Sequence, residues 1–214
     1  MGNVTAEISV SLDGFVAGPN PSLEQPLGAG GEKLHEWVVR LKTWREMHGM
    51  DGGETGPDGE MVAESLRATG AVVMGRRMFS GGEGPWEDDP NADGWWGEEP
   101  PFHVPVFVVT HHTREPLPMQ GGTTFTFVTD GVESAVEQAR AAAGDKNVSV
   151  GGGASVIQKL MDAGLLDEIQ IHLVPVLLGG GVRLFENVGV ADLERTEFAS
   201  SPTGVTHLRF RVPR

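Results

Sequence analysis

Hydrophobic and polar positions along this chain change period several times, and each change marks an element. Residues 6–12 alternate, with Ile8, Val10 and Leu12 on one face, and predict a first strand. Asp13-Gly14 ends it. Pro19, Pro21, Pro26 and four glycines then predict a loop over 15–31. Leu34, Trp37, Val38, Leu41 and Trp44 recur at helical spacing and predict one helix over 32–46. A Gly-rich loop, Met50–Gly59, leads to a second helix over 60–69 with Met61, Val62 and Leu66 inward. Residues 71–74 are a short continuous apolar run, the pattern of a strand buried on both faces, and residues 105–110 and 124–128 predict two more strands. Helices are predicted over Gly131–Ala143 and Ala154–Ala163, and strands over 147–150 and 167–177. A closing antiparallel pair, 194–199 and 205–212, brackets the turn Ser200–Gly204.

Buried strands that alternate with helices predict an α/β fold with a mixed, mostly parallel central sheet covered on both faces. Neither a repeat nor a separating linker is visible, so residues 1–214 read as one domain. At 39% hydrophobic and 21% charged, the chain can build a core. A net charge of −14 argues against nucleic acid and anionic membranes as partners and leaves a small-molecule substrate. The absence of cysteine excludes disulfides, thiolate metal sites and a cysteine nucleophile. His35 and His48 have no carboxylate at a metal-ligating spacing, so no metal site is expected. With no signal-peptide pattern and no apolar window near the ~20 residues of a membrane span, the expected location is the cytoplasm.

Three segments share one arrangement in which an apolar strand gives way to glycine or small polar residues. They are Val73-Met74-Gly75-Arg76-Arg77, Val108-Val109-Thr110-His111-His112 and Val148-Ser149-Val150-Gly151-Gly152-Gly153-Ala154. In open α/β sheets ligands bind beyond the carboxyl ends of strands, glycine admits close backbone approach, and a helix that begins there presents free N–H groups to phosphate. Together the three predict a dinucleotide site. The run Gly151–Gly153 is neither GxGxxG nor a Walker loop, so a Rossmann fold proper and a nucleotide triphosphatase are not indicated.

These pieces, with Ile8 through Ala17 before them and Asp167-Glu168-Ile169 through Gly179-Gly180-Gly181 to Leu184-Phe185 after them, are collinear over roughly residues 6–186. In that order the chain resembles the dihydrofolate-reductase-like superfamily. It is most similar to the family built on the C-terminal reductase domain of the bifunctional deaminase-reductase of riboflavin biosynthesis. The resemblance implies a three-layer sandwich and NADPH as cofactor. It places Gly75, Arg76 and Arg77 at the pyrophosphate and 2′-phosphate, and Thr110, His111 and His112 at the adenosine ribose and its 2′-phosphate. Gly151, Gly152, Gly153 and Ala154 match the second pyrophosphate turn, and Val16 and Ala17 flank the nicotinamide. The two arginines and two histidines would concentrate positive character in an acidic protein.

Asp13 is the catalytic candidate by the same resemblance, orienting substrate or nicotinamide; an ordinary Asp-Gly turn residue is the alternative. Folate-reducing enzymes carry an acid on the helix before the Val-Met-Gly-Arg strand. Here that position falls at Gly59, between Asp58 and Glu60, and Asp58 is the substrate-binding candidate. Residues 80–102 are too rich in Gly, Pro and Asp for a regular element. Their Trp86 and Trp96 are expected to stack on a planar substrate as a lid, with a small satellite core as the alternative. Trp37 and Trp44 read as core. The apolar surplus of 167–178 suggests a symmetric homodimer. The expected activity is hydride transfer from NADPH to a planar heterocycle, a ribosylaminopyrimidine or a pterin. The alternative is a non-catalytic nucleotide-binding protein on the same fold.

Overall fold

The computed structural model describes residues 2–186 and 188–213. The chain runs through β1 (Val4–Ser11), β2 (Phe15–Ala17), α1 (Glu36–Val39), α2 (Lys42–Met47), α3 (Pro57–Ala68), β3 (Thr69–Gly75), α4 (Arg76–Ser80), β4 (Pro105–Val109), β5 (Leu117–Pro118) and β6 (Thr124–Val128). It continues through α5 (Val132–Ala143), β7 (Asn147–Val150), α6 (Ala154–Asp162), β8 (Glu168–Val174), β9 (Val182–Arg183), β10 (Glu194–Ser200) and β11 (Thr206–Arg211). Nine strands form one sheet in the order β10-β11-β8-β1-β7-β3-β4-β6-β5. Its centre, from β8 to β6, is parallel; β11 and β10 on one side and β5 on the other are antiparallel. The architecture is the mixed, mostly parallel α/β sheet expected.

Alternation along each central strand divides the core. Ala71 and Val73 of β3 and Val4, Ala6 and Val10 of β1 face a cluster completed by Val132, Val136, Ile157 and Leu160 of α5 and α6. Val72 and Met74 face the opposite cluster, with Phe79, Val106, Val108, Phe125 and Phe127. A third cluster, Leu34, Trp37, Leu41, Val174 and Val205, lies beneath α1 and α2.

The single helix expected over 32–46 is instead a 3-10 turn, Gly31–Leu34, followed by α1 and α2. Leu41 between them is extended, and the Lys42 amide donates to the Glu54 carbonyl at 2.8 Å. Each short piece sends an apolar residue into the same cluster, so the spacing imitates a continuous helix. α3 starts three residues earlier than expected, with Pro57 in its first turn, where a missing N–H costs nothing. The strand expected over 167–177 ends at Val174. β8 lies between β1 and β11, and Ile169 and Ile171 are buried there. Of the apolar surplus in 167–178 that suggested a homodimer, Ile169 and Ile171 are used inside the sheet, while Leu177, beyond the strand end, is exposed. Among the described residues no helix is long and apolar enough to cross a membrane.

Candidate active site

Parallel strands deliver their carboxyl ends to one edge, and a cleft of about 1040 Å³ opens there. At one end it is lined by Gly75, Arg76 and Arg77 after β3, Thr110 and His111 after β4, and Gly151, Gly152, Gly153 and Ala154 after β7. At the other end Val16 and Ala17 of β2 meet Glu7, Ile8 and Ser9 of β1, together with His35, Trp37, Val62 and His172. The loop over 15–31 contributes Pro21, Pro26 and Leu27.

The glycine turn fits a pyrophosphate. Gly152 sits at φ +107, a conformation that favours glycine. A Cβ on Gly153 would meet nothing within 4 Å, so the backbone is bare toward the cleft. α6 starts at Ala154 with no side-chain cap on its first amides, which leaves the positive end of its dipole available to an anion. The Gly75 amide donates to the Gly152 carbonyl at 3.2 Å and ties the β3 turn to the β7 turn. Nearby, Arg76 Nε and Nη1 are buried without a hydrogen-bond partner, donors that phosphate oxygens would satisfy.

The basic residues divide their work differently from the sequence expectation. Arg76 is 6% exposed. Its Nη2 pairs with the Asp89 carboxylate, and the Trp86 ring lies 3.6 Å from the guanidinium carbon. Its charge is thus compensated from within the chain. Arg77 is exposed at the cleft, where its Nε and Nη2 pair with the two carboxylate oxygens of exposed Glu83, each at 2.7 Å. His111 lines the cleft, but His112 does not: its amide bonds Thr110 Oγ1 at 3.2 Å and its carbonyl accepts from Trp86 Nε1 at 3.1 Å.

The aromatic lid is corrected for the same reason. Trp86 packs edge-on to Phe127 with ring centroids 4.8 Å apart, and Trp96 packs on Phe102 at the same distance. Both belong to the cluster on the second sheet face and neither lines the cleft. Long apolar rings bury where a bare sheet face is available, and β4 and β6 offer one. Trp95 is the member of that loop that reaches the cleft, its Nε1 donating to the Met78 carbonyl at 3.0 Å.

Asp13 and Asp58 are also placed outside the cleft lining. The Asp13 carboxylate accepts from Ser11 Oγ at 2.6 Å and from the amides of Gly179 at 2.7 Å and Leu178 at 3.2 Å. The Ser11 bond first, and then those amides, hold its pKa down at about 2, so it fastens the turn after β1 to the glycine turn after β8. Asp13→Asn should therefore lower the melting temperature at neutral pH, because amides facing a neutral acceptor lose a charge-assisted bond. A depressed folded-state pKa stabilises above the unfolded value and ceases to do so below the folded one. The gap between native and variant should thus close as pH falls from ~4 toward the folded-state value. A gap constant with pH would refute this. Asp58 is buried at the start of α3, accepts from Ser201 Oγ, and lies 3.4 Å from His207 Nε2. It anchors α3 to the β10–β11 hairpin and does not enter the substrate end.

The substrate end also holds Glu7, Ser9 and His172, for which the sequence suggested no role, and Trp37 and His35, which it gave no part in a site. Trp37 donates from Nε1 to Ser9 Oγ at 3.1 Å and packs on His172, ring centroids 4.7 Å apart. His172 and His207 share a hydrogen bond between their Nδ1 atoms at 2.8 Å. Burial lowers the pKa of both, and of His35, so all three are held toward the neutral form. Glu7 accepts from the Ser65 hydroxyl of α3. Burial pushes its carboxyl up, against the opposing effects of Ser65 and Arg209. A Glu in mid-strand beside Ser9 and Ser11 was the one sequence cue to this polar face.

A family model described as the RibD C-terminal domain matches residues 3–207. The chain belongs to the RibD C-terminal domain family. It also shares its fold with solved structures. A Shewanella sp. PV-4 protein provisionally assigned to riboflavin biosynthesis matches with 21% identity, TM-score 0.65 and full coverage of both chains. A Thermotoga maritima diaminohydroxyphosphoribosylaminopyrimidine deaminase/5-amino-6-(5-phosphoribosylamino)uracil reductase matches with 14% identity and TM-score 0.58, over 99% of this chain and 57% of that one. Enterococcus faecalis dihydrofolate reductase, in complex with NADP(H), matches with 12% identity and TM-score 0.55, over 100% of this chain and 98% of that one. No curated protein matches the chain in sequence. The neighbours give the chain the dihydrofolate-reductase-like fold.

Proposed function

We propose that this RibD-type chain is an NADPH-dependent reductase acting on a planar heterocycle of the pyrimidine or pterin class. The observation that carries the reading is the two-ended cleft: bare glycine turns and an uncapped helix start at one end, an aromatic and polar chamber at the other. NADPH, when bound, supplies the hydride. Gly151–Ala154 and Gly75 would hold its pyrophosphate, Thr110 and His111 its adenosine ribose, and Val16 and Ala17 would set the nicotinamide against the substrate chamber. Pro21, Pro26 and Leu27 line the cleft and would help to shield the bound ligands from water. Rate enhancement then comes mainly from positioning and desolvation. The non-catalytic alternative rested on the lack of a carboxylate from α3; Glu7 of β1 brings one to the same chamber.

Arg77, rather than Arg76, is the proposed 2′-phosphate contact, because its exposed partner Glu83 is easily exchanged for a phosphate. Arg77→Ala should weaken NADPH about tenfold, the low end for a charged hydrogen bond, and leave NADH nearly unchanged. Fluorescence titration of both cofactors checks this. Native protein that binds both equally would defeat the NADPH assignment, and no saturable binding of either would defeat the reductase reading.

A further inference from the structure

Cations are distributed unevenly along the cleft. Among the described residues that line it, Arg76, Arg77 and Lys159 all stand at the glycine-turn end, and the acids Glu83, Glu133 and Asp162 belong to the same lining. The substrate end is walled by Val16, Val62 and the Trp37 ring, and its ionisable groups are Glu7, His35 and His172. Burial holds both histidines toward neutrality, so neither offers a fixed positive charge. Arg209, the cation nearest Glu7 in the sheet, is not part of the lining. Its Nε and Nη2 donate to Gln170 Oε1 at 3.0 and 2.7 Å, and Glu197 lies 3.5 Å away. Glu7 is fixed from above by Ser65 of α3, and its strand is fixed on one side by β7 and on the other by β8, where it faces Gln170.

We propose that the substrate is a planar nitrogen heterocycle without a phosphate group, held in this chamber by Glu7 through a ring N–H and an adjacent exocyclic amino group. The inference rests on the reductase reading above and narrows its substrate class. A carboxylate accepts two parallel N–H bonds, so ionised Glu7 pairs with a ring N–H and the amino group beside it, and an amide at this position would set a donor against one of them. The Trp37 ring and valine walls suit a flat ring. A phosphate placed here would be desolvated beside an acid with no cation to meet it, which is unfavourable on both counts. The substrate thus differs in charge from the phosphoribosylated uracil named for the T. maritima neighbour.

Titrations followed by tryptophan fluorescence, with and without saturating NADPH, test this. The probes are 2,4-diaminopyrimidine, 5-amino-6-ribosylaminouracil and the 5′-phosphate of the latter. Native protein should bind 2,4-diaminopyrimidine and should hold the riboside at least about tenfold more tightly than its phosphate. Glu7→Gln keeps the size of the side chain and removes a buried acid; it should weaken 2,4-diaminopyrimidine about tenfold or more while the NADPH titration stays unchanged. Equal or tighter binding of the phosphate, no binding of 2,4-diaminopyrimidine, or an unaffected Glu7→Gln variant each overturns the proposal. The comparison of riboside with phosphate uses native protein and does not depend on how any variant folds. Loss of NADPH binding alone, with intact probe binding, overturns the reductase reading and leaves the chamber assignment standing.

Discussion

Arg76→Ala should destabilise the protein by about 3–5 kcal/mol, the usual result of removing one partner of a buried ion pair. The Asp89 side chain is 2% exposed. Burial alone would raise its pKa, but Ser80 Oγ at 2.7 Å, the Asn91 amide at 2.9 Å and the Arg76 charge together hold it below the ordinary value. Deleting the guanidinium leaves that carboxylate ionised and enclosed. It also uncovers the Trp86 ring, which sits between Arg76 and Arg114. The irregular stretch 80–102 is fastened through these contacts, so it should loosen with the pair. The double variant Arg76→Met, Asp89→Leu should recover much of the loss, because it removes both charges together. Urea unfolding of the single and double variants reads this directly. A single variant as stable as the native protein, defective only in cofactor binding, would show that Arg76 serves the ligand and not the fold.

Gly153→Val should reduce dinucleotide affinity at least about 100-fold, or ~2.7 kcal/mol, with little change in melting temperature. Gly153 has φ −92 and ψ −169, extended backbone that any residue adopts. Its Cβ position is open, so the fold has no reason to object. The methyl groups would occupy the space where the bare turn and the first amides of α6 face the cleft. Gly152→Val is a less clean test. Its φ of +107 would strain a β-branched residue, and such strain is worth about 1–3 kcal/mol. Melting curves beside NADPH titrations separate the two variants. Normal NADPH binding by folded Gly153→Val would reduce the glycine turn to a structural device.

Much of the sheet was legible because burial leaves a simple mark. The run at 71–74 is apolar at every position since both faces of β3 are covered. The glycine turns were legible because glycine at a strand end has few other uses. What failed to show has a common physical origin in contacts between distant parts of the chain. Asp13 announced itself, but its partners Leu178 and Gly179, which make it a fastening between two turns, lie far along the sequence. Trp86 and Trp96 have a composition that suits either a lid or a core, and the exposed face of β4 and β6 decides between them. Glu7 reads as the solvent side of an alternating strand until α3 folds over it. β2, β5 and β9 have two or three residues each, too few to establish a period.

The position of β1 has a consequence for how the chain is made. Within this chain β1 takes its place in the middle of the sheet, between β7 and β8, with Val4 opposite Val148 and Thr5 opposite Glu168. Its neighbours are synthesised much later than β1, and closing so long a loop must precede the reward of pairing. Until then the Ile8 and Val10 side of the strand has no cover. Folding of this protein should wait for the arrival of β8, and the nascent chain is the stage at which it most needs a chaperone.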